Sequence, residues 1–318
     1  MKRILVTGAG GYIGAHVVVA LADMGASVVA VDRPGQFQRP VDDRVTIVEA
    51  DIFGDPERLI GQVGEVDACL HLAWQSGFVH DDPVHMLRLS DHFRFLDALV
   101  RAGTAQVAVM GTVHEIGYFE GMVTGSTPTN PRSLYGVAKN ALRESMTLRL
   151  EGQPTVFQWL RCFYIHGDDA RNRSIFTKIT EAAESGATSF PFTSGRSKFD
   201  FIEVDALGRQ IAAATMQTEV DGIINCCSGV PVSLGARVEE YIKDKGYSLR
   251  LDYGAFADRV YDSPAIWGDP TKINQILAAV AQPTDPGGAQ GDCVLGGCVV
   301  RGGAGTLGVG LASGGLGC

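Results

Sequence analysis

Residues 2–21 read KRILVTGAGGYIGAHVVVAL, and this stretch decides the fold. Its first part, KRILVTG, predicts a short buried strand, and the apolar residues after the glycines have helical spacing. Three glycines, Gly8, Gly11 and Gly14, lie where the strand gives way to the helix, in the pattern TGxxGxxG. The commoner spacing, GxGxxG, would need a glycine at position 13, where the chain has Ile13.

A strand, a glycine-rich turn and a helix N-terminus together form a site for anions. The first backbone N–H groups of a helix have no partner inside the helix, and the helix dipole favours negative charge there. Glycines let a pyrophosphate approach these N–H groups, which side chains would hold away. We therefore predict a dinucleotide-binding turn with contacts from Gly8, Gly11, Tyr12, Ile13 and Gly14.

Acidic residues end the next two predicted strands. Asp32 ends SVVAVD, 24 residues past Gly8, where a carboxylate can accept hydrogen bonds from both ribose hydroxyls of an adenosine. It would repel a 2′-phosphate and so favours NAD, although the neighbouring Arg33 could accept that phosphate and leaves NADP possible. Asp51 and Ile52 follow the third strand and are placed to contact the adenine. The alternative for Asp51 is an acid that caps a loop or helix.

Strand patterns alternate with helix patterns up to Gly167 and then more loosely. This alternation predicts an α/β fold, a Rossmann-type doubly wound parallel sheet with right-handed crossovers. A strand and a helix return to the sheet later in the chain, and a small α+β region follows. We expect a nucleotide-binding core of residues 1–166 and 200–229, and a smaller interleaved α+β substrate lobe of residues 167–199 and 230–282.

The last residues, 283–318, differ from the rest: 13 are glycine, and only Asp285, Asp292 and Arg301 are charged. No periodicity survives there, so we expect this glycine-rich tail to be disordered and assign it no function.

Composition excludes several classes of protein. The chain has 318 residues, 45% of them hydrophobic, and a net charge of −9, which argues against a nucleic-acid partner. No apolar run approaches the length of a membrane span, and no signal-peptide pattern is present. The seven cysteines form no CxxC pair, which is typical of reduced thiols. We expect a cytoplasmic protein that does not bind membranes.

The segment Tyr135-Gly-Val-Ala-Lys139 carries the main chemical signal. Residues four apart share a helix face, and a nearby ammonium, helped by the positive charge of a nicotinamide, favours the phenolate and lowers the pKa of Tyr135. Tyr135 would then exchange a proton with a sugar hydroxyl while hydride moves at the same carbon. Thr112, just past the fifth strand, supplies a hydroxyl that orients the substrate oxygen.

The segments TGAGGYIG, HLAW, MGT, YGVAK and KFDFIEVD together resemble the extended short-chain dehydrogenases/reductases, the NAD-dependent epimerase/dehydratase enzymes of nucleotide sugars. The resemblance covers about residues 1–280. It implies a Rossmann core, a C-terminal lobe that grips the nucleotide sugar, catalytic Thr112, Tyr135 and Lys139, and cofactor contacts at Leu72 and Ala73. It also implies a homodimer formed through the helices around residues 83–102 and 133–150; Phe93, Phe95 and Leu96 belong either to that face or to the core.

Departures from the family pattern narrow the activity. The 4,6-dehydratases of this family follow the catalytic Thr with Asp and Glu, whereas Val113 and His114 stand here. A valine cannot act as an acid, so dehydration is disfavoured. The family's supporting asparagine is absent between His71 and Val100. The stretch GTVHEIGYFEG is similar to sequences of 4-keto-6-deoxyhexose reductases.

Substrate contacts are predicted in the second lobe and just after Thr112. Asn172 and Ser174 open a helix where the family binds the phosphates or sugar of the substrate, although a solvated helix cap explains them equally well. Arg259 matches a position where relatives hold the diphosphate, a role that suits a forked cation, or is an ordinary surface arginine. His114 and Glu115 are expected beside the sugar, to set specificity or assist proton transfer, or else to shape the loop.

A metal site is not expected. His80, Asp81, Asp82 and His85 lie close together in the sequence, but the cluster lacks a further ligand.

Three functions remain open from the sequence. Hydride transfer at C4 of a nucleotide-activated hexose could serve a 4-ketoreductase or a 4-epimerase. Asp32 and a preference for NAD favour the epimerase, and GTVHEIGY favours the reductase. The third is a non-catalytic sensor or scaffold that binds a dinucleotide, although such a protein would have no need of a general base.

Overall fold

The computed structural model describes residues 1–37, 42–167, 174–258 and 263–281, which belong to one compact unit. Asn172 and Arg259, two of the predicted substrate contacts, lie outside the described residues, as does the glycine-rich stretch 283–318.

Strands and helices alternate along most of the described chain. The strands are β1 Arg3–Thr7, β2 Ser27–Asp32, β3 Val45–Glu49, β4 Ala68–His71, β5 Gln106–Thr112, β6 Gly121–Val123, β7 Val156–Cys162, β8 Tyr164–His166, β9 Ser189–Pro191, β10 Lys198–Glu203, β11 Gly222–Cys226, β12 Pro231–Ser233, β13 Arg250–Asp252 and β14 Ala265–Gly268. The helices are α1 Tyr12–Asp23, α2 Pro56–Val63, α3 Val84–Leu87, α4 Leu89–Arg101, α5 Leu134–Leu150, α6 Ile175–Glu184, α7 Val204–Met216, α8 Leu234–Asp244 and α9 Thr271–Ala281.

A seven-stranded parallel sheet forms the centre of the fold, in the order β3-β2-β1-β4-β5-β7-β11. The strand order reverses between β1 and β4. In such sheets ligands bind outside the carboxyl ends of the strands at this point of reversal. The predicted α/β, Rossmann-type fold is therefore confirmed, and the glycine-rich turn after β1 lies at the expected edge.

Apolar side chains cover both faces of the central sheet. Ile4 and Val6 face one cluster, which contains residues of α1, α7 and α9, while Leu5 faces the other, which contains residues of α2, α4 and α5. This alternation follows from the period of two along a strand, and helices on both faces explain why the strand is a continuous apolar run.

A smaller sheet has the strand order β12-β10-β14-β6, and β8 pairs with β10. This sheet has its own apolar cluster. The buried carboxylate of Asp200 on β10 accepts hydrogen bonds from the backbone N–H groups of Ser228, Gly229 and Gly268, at 2.8, 2.9 and 3.0 Å. One carboxylate thus fixes the loop after β11 to the end of β14.

The two parts of the chain interleave more than the sequence indicates. Strands β6 and β8 lie within the predicted core, residues 1–166, but belong to the smaller sheet. Helix α9 lies within the predicted substrate lobe but packs on the core through Ile273 and Ile276. The predicted division therefore differs from the sheet topology at these three elements and at β10, whose residues 200–203 lie in the predicted core although the strand pairs in the smaller sheet.

The predicted helix over residues 83–102 is two helices, α3 and α4, which meet at Arg88. Phe95 and Leu96 are fully buried in the core, and Phe93 packs against it. These three side chains are therefore core residues.

Among the described residues, no helix has the length and apolar character needed to cross a bilayer. Cys69, Cys162, Cys226 and Cys227 are buried free thiols.

Candidate active site

The glycine-rich turn between β1 and α1 is closely packed backbone. Gly8 has φ +70°, and a Cβ there would lie 2.6 Å from the backbone nitrogen of Ala73. A Cβ on Gly14 would lie 2.1 Å from the carbonyl oxygen of Gly8. Gly11 is the N-cap of α1 and makes no side-chain cap hydrogen bond. The turn thus presents backbone N–H groups at a helix N-terminus, which is the arrangement that binds phosphates.

Asp32 lies beside this turn, as predicted from its position at the end of β2. Its carboxylate accepts hydrogen bonds from the backbone N–H groups of Gly10, at 3.0 Å, and Arg33, at 2.8 Å. The Arg33 side chain is exposed. The carboxylate therefore helps to shape the glycine turn in addition to any contact with a ligand.

The other predicted cofactor contacts have structural partners in the protein. Asp51 accepts a hydrogen bond from the backbone N–H of Phe53, at 3.0 Å, so it caps a turn, which was the alternative reading of this residue. The side chain of Ile52 is buried in the cluster that contains α2, α4 and α5, and Ile13 packs against the cluster on the other face of the sheet. The hydroxyl of Tyr12 donates to the carbonyl of Gly167.

Leu72 and Ala73 follow β4 and line the turn from the other side. Leu72 is buried in the core, and the backbone of Ala73 packs against Gly8. The segment HLAW therefore lies beside the glycine turn, where the resemblance placed it.

Thr112 and Tyr135 are brought together by a tight contact between two elements. Ser133 caps α5 by accepting from the N–H of Gly136, at 3.2 Å, which places Tyr135 in the first turn of the helix. A Cβ on Gly136 would lie 2.4 Å from the carbonyl oxygen of His114, so only glycine lets α5 approach the turn after β5 this closely. The Thr112 side chain lies close enough to the Tyr135 phenol to lower the pKa of the tyrosine.

Lys139 lies one helical turn beyond Tyr135 and is buried. Its Nζ donates to the carbonyl oxygen of Met110, at 2.7 Å, and lies 3.8 Å from the ring centroid of Trp74. Burial lowers the pKa of Lys139 to about 7, against the charges of Glu115 and Cys162, which raise it. The lysine is therefore poised between its charged and neutral forms near neutral pH.

The pKa of Tyr135 moves in the direction opposite to the prediction. Burial raises it well above its usual value, and the hydrogen bond from Thr112 lowers it only in part. In the protein alone, desolvation of the tyrosine therefore outweighs the Lys139 ammonium, which lies against Met110 and Trp74, and the lowering expected with a nicotinamide bound stays a prediction. At neutral pH the phenol holds its proton.

Residues 4–227 match the model of the NAD dependent epimerase/dehydratase family. The chain belongs to this family. The match spans the glycine turn, Asp32, Thr112, Tyr135 and Lys139, and it confirms the resemblance found in the sequence.

Relatives of known activity match nearly the whole described chain. A dTDP-6-deoxy-L-talose 4-dehydrogenase (NAD(+)) from Aggregatibacter actinomycetemcomitans is 40% identical over 268 residues, covering 84% of this chain and 99% of that protein. A UDP-glucose 4-epimerase from Azospirillum brasilense is 32% identical over 313 residues, with 87% of each chain covered. A solved UDP-N-acetylglucosamine 4-epimerase from Methanobrevibacter ruminantium M1, in complex with UDP-N-acetylmuramic acid, is similar in fold, with TM-score 0.74 and 21% identity over 86% of this chain and 91% of that one.

In this family member, Glu115 does not face the sugar side of Thr112. Its side chain is fully buried and accepts hydrogen bonds from the backbone N–H of Thr112, at 2.7 Å, and the indole N–H of Trp159, at 2.9 Å. Arg161 and Arg143 lie 3.5 and 3.8 Å from the same carboxylate. Burial raises the pKa of Glu115, and Arg161 and the other partners oppose that shift. These contacts support the second alternative for Glu115, that it shapes the loop after Thr112.

His114 and Ser174, the two predicted substrate contacts within the described residues, belong to different elements, the turn after β5 and the start of α6. The ring of His114 is 6.1 Å from that of Tyr135 and 6.2 Å from that of Tyr164. Ser174 caps α6 by accepting from the N–H groups of Phe176 and Thr177, at 3.2 and 3.4 Å. His114 thus lies beside Tyr135, and Ser174 caps α6, while a contact of either residue with substrate stays a prediction.

The sequence did not predict that two buried histidines, His71 and His92, are linked to Thr7 at the end of β1. The hydroxyl of Thr7 is 2.8 Å from Nδ1 of His71, and Nε2 of His71 is 2.8 Å from Nδ1 of His92. The ring of His92 stacks on Trp74, with centroids 4.2 Å apart. No group of three or more His, Cys, Asp or Glu side chains is placed to hold a metal among the residues with described positions.

We expect this histidine pair to make the protein sensitive to acid. Burial lowers the pKa of His71 to about 3 and that of His92 well below its usual value, so the folded protein holds both rings neutral while the unfolded chain charges them below about pH 6.5. Each ring should cost about 1.4 kcal/mol of stability per pH unit below that point. Urea unfolding at pH 8, 7, 6 and 5 measures this, and the loss should become shallower in His71→Asn. A free energy of unfolding that stays constant from pH 7 to 5 would contradict it.

Proposed function

We propose that the protein is an NAD-dependent 4-ketoreductase, or equivalently a 4-dehydrogenase, of a nucleoside-diphosphate 6-deoxyhexose. Hydride transfer at C4 of a nucleotide sugar accounts for both the dehydrogenase and the 4-epimerase activities named for its relatives. The 40% identical relative, a dTDP-6-deoxy-L-talose 4-dehydrogenase, supports dTDP as the nucleotide and a 6-deoxyhexose as the sugar.

The glycine turn fits the pyrophosphate of NAD, because Gly8 and Gly14 allow the tight backbone packing that shapes the turn, and α1 begins without a side-chain cap. Backbone N–H groups from Gly11 onward would bind the phosphates, and Asp32 would accept hydrogen bonds from the adenosine ribose. When bound, NAD supplies the site that accepts or donates hydride.

The observation that carries the proposal is the close approach of the first turn of α5, which holds Tyr135, to the turn after Thr112, with Lys139 one turn along the same helix. Thr112 would orient the C4 oxygen of the sugar, and Tyr135 would hold and deliver its proton. Because burial keeps the phenol protonated, the site is set to donate a proton to a developing alkoxide, which is what reduction of a ketone requires. Lys139 would supply positive charge beside the phenol as that proton leaves.

We assign the sugar-facing contacts to His114 and keep Asn172, Ser174 and Arg259 as predicted contacts of the phosphates or sugar. His114 is supported by its position next to Tyr135. In this proposal the central sheet with its helices binds the cofactor, and the smaller sheet with α6 and α8 grips the nucleotide.

A 4-epimerase is the second candidate, and the 32% identical UDP-glucose 4-epimerase favours it. The two are separated by incubating the purified protein with NADH and a dTDP-4-keto-6-deoxyhexose. A ketoreductase consumes NADH in a one-to-one ratio with the sugar product, whereas an epimerase interconverts C4 epimers with no net change in added cofactor. Failure of both reactions would overturn the proposal and leave the dinucleotide-binding sensor or scaffold. Mass spectrometry of small molecules released by denaturation identifies the cofactor independently.

We further infer a cytoplasmic homodimer. The buried free thiols support a reducing compartment, and the packing of α4 against α5 supports a pair of helices available to a second subunit.

A further inference from the structure

The indole of Trp74 lies at the centre of the predicted catalytic group. It follows β4 directly, and its ring meets Lys139 Nζ at 3.8 Å from the centroid. The same ring is edge-on to Tyr135, with centroids 6.1 Å apart, and stacks on His92 at 4.2 Å. The Trp74 side chain therefore contacts Tyr135 and Lys139 and also packs on His92 of α4.

Lys139 has few other ways to stabilise its charge in this position. The side chain is 1% exposed, and its Nζ donates a hydrogen bond to the carbonyl oxygen of Met110, at 2.7 Å. A buried ammonium needs compensation for its lost hydration. An aromatic face within 6 Å supplies part of it, and more strongly when the ion is desolvated. The Trp74 face and the Met110 carbonyl together fix where the ammonium sits.

His85 in turn holds the indole. The Trp74 Nε1–H donates to Nδ1 of His85, at 3.0 Å, and Nε2 of His85 lies 2.9 Å from the carbonyl oxygen of Val79. A carbonyl only accepts, so Nε2 carries the proton and Nδ1 is free to accept from the indole. The neutral Nε2–H tautomer of His85 is therefore the form that fixes the rotation of Trp74.

We propose that Trp74 is a positioning residue for the reaction, which holds the Lys139 ammonium against the Met110 carbonyl and beside Tyr135, with His85 fixing the indole. The inference rests on the proposed function, because the role of Lys139 is to supply charge to the phenol during proton transfer at C4. It adds a residue that contacts neither the reacting carbon nor the proton, and acts only through Lys139 and Tyr135.

Several groups besides Trp74 set the charge of Lys139. Glu115 below the turn and Cys162 on β7 raise its pKa, burial lowers it to about 7, and the ammonium in turn lowers the pKa values of His71 on β4 and His92 on α4. Removing the indole face destabilises the charged form alone, so it lowers the pKa of Lys139 further. As the pH rises, the activity that depends on the Lys139 ammonium is then lost at a lower pH than in wild type.

The first test compares pH profiles of kcat for wild type, Trp74→Leu and Trp74→Phe. In Trp74→Leu the alkaline limb should move about one pH unit lower, and kcat at pH 7.5 should fall about tenfold with KM for both substrates within about twofold of wild type. Trp74→Phe keeps an aromatic face without the N–H and should shift less. Trp267→Leu, the same change in the smaller sheet, should leave the limb in place. If kcat of Trp74→Leu falls while the alkaline limb stays at the wild-type pH, Trp74 acts only in packing and the proposal is overturned.

A second measurement needs no working assay and is made on the wild-type protein, with Lys139→Met used only for assignment. In protein with 13C-labelled lysine, the ε-methylene protons of Lys139 should resonate upfield of those of the other lysines, because they lie over an indole ring, and the signal is assigned by its loss in Lys139→Met. Titration of this signal gives the pKa directly. A Lys139 signal without that upfield shift would overturn the proposal even in an active enzyme. If wild type shows no turnover at C4, the proposed function fails while this contact is still tested.

Discussion

Tyr135→Phe is expected to reduce turnover at C4 by about 10²–10⁴-fold, the usual contribution of a positioned general acid. The substitution removes one hydroxyl and leaves the ring among Trp74, His80 and His85, so the first turn of α5 should keep its packing. Without the phenol, the developing alkoxide on the substrate has no proton donor at the position that Thr112 orients. Binding of NAD should stay within a few-fold of wild type, because the glycine turn and Asp32 are untouched.

The measurement pairs steady-state rates with calorimetric titration of NAD, and with thermal unfolding to establish that the variant is folded. Tyr118→Phe is the matched control, since it removes the same hydroxyl from an exposed ring that pairs with Glu120. Turnover by Tyr135→Phe equal to that of wild type and Tyr118→Phe would refute the catalytic assignment. It would return the protein to the sensor or scaffold alternative.

The parts of the site that the sequence predicts are those governed by local spacing. The TGxxGxxG turn, Asp32 at the end of β2 and the four-residue interval between Tyr135 and Lys139 all follow from strand ends and helix periodicity, which are local properties. The structure places these residues at the carboxyl edge of one parallel sheet, as the topology requires.

Contacts between distant segments could not be predicted in this way. The pairing of His71 with His92, and of Trp74 with Lys139, depends on how β4, α4 and α5 pack, and no spacing in the sequence indicates it. The same packing raises the pKa of Tyr135 in the protein alone, because burial of the ring outweighs the neighbouring charge. Glu115 differs, because Thr-x-x-Glu is a capping-box pattern. The sequence alone could therefore have indicated that its side chain bonds to the backbone of Thr112.

The buried carboxylate of Glu115 links Thr112, at the end of β5, to Trp159 and Arg161 of β7. It accepts from the N–H of Thr112 and the indole of Trp159, and it faces Arg161, which is fully buried. A Cβ on Gly111 would lie 2.8 Å from its Oε1, so the strand end is shaped around this group.

Glu115→Ala is expected to lower the free energy of unfolding by about 3–5 kcal/mol, the cost of leaving a buried charge without its partner. Arg161 would lose its counter-ion, and two buried N–H donors would lose their acceptor. Glu115→Gln restores an acceptor but not the charge, so it should recover only part of the loss. Urea unfolding at pH 7.5 measures both, with Glu57→Ala as the control, because that substitution breaks an exposed pair with Arg101 and should leave stability within error. A Glu115→Ala protein within about 1 kcal/mol of wild type would mean that the loop relaxes and Arg161 reaches water, so that the carboxylate does not hold Thr112 in place.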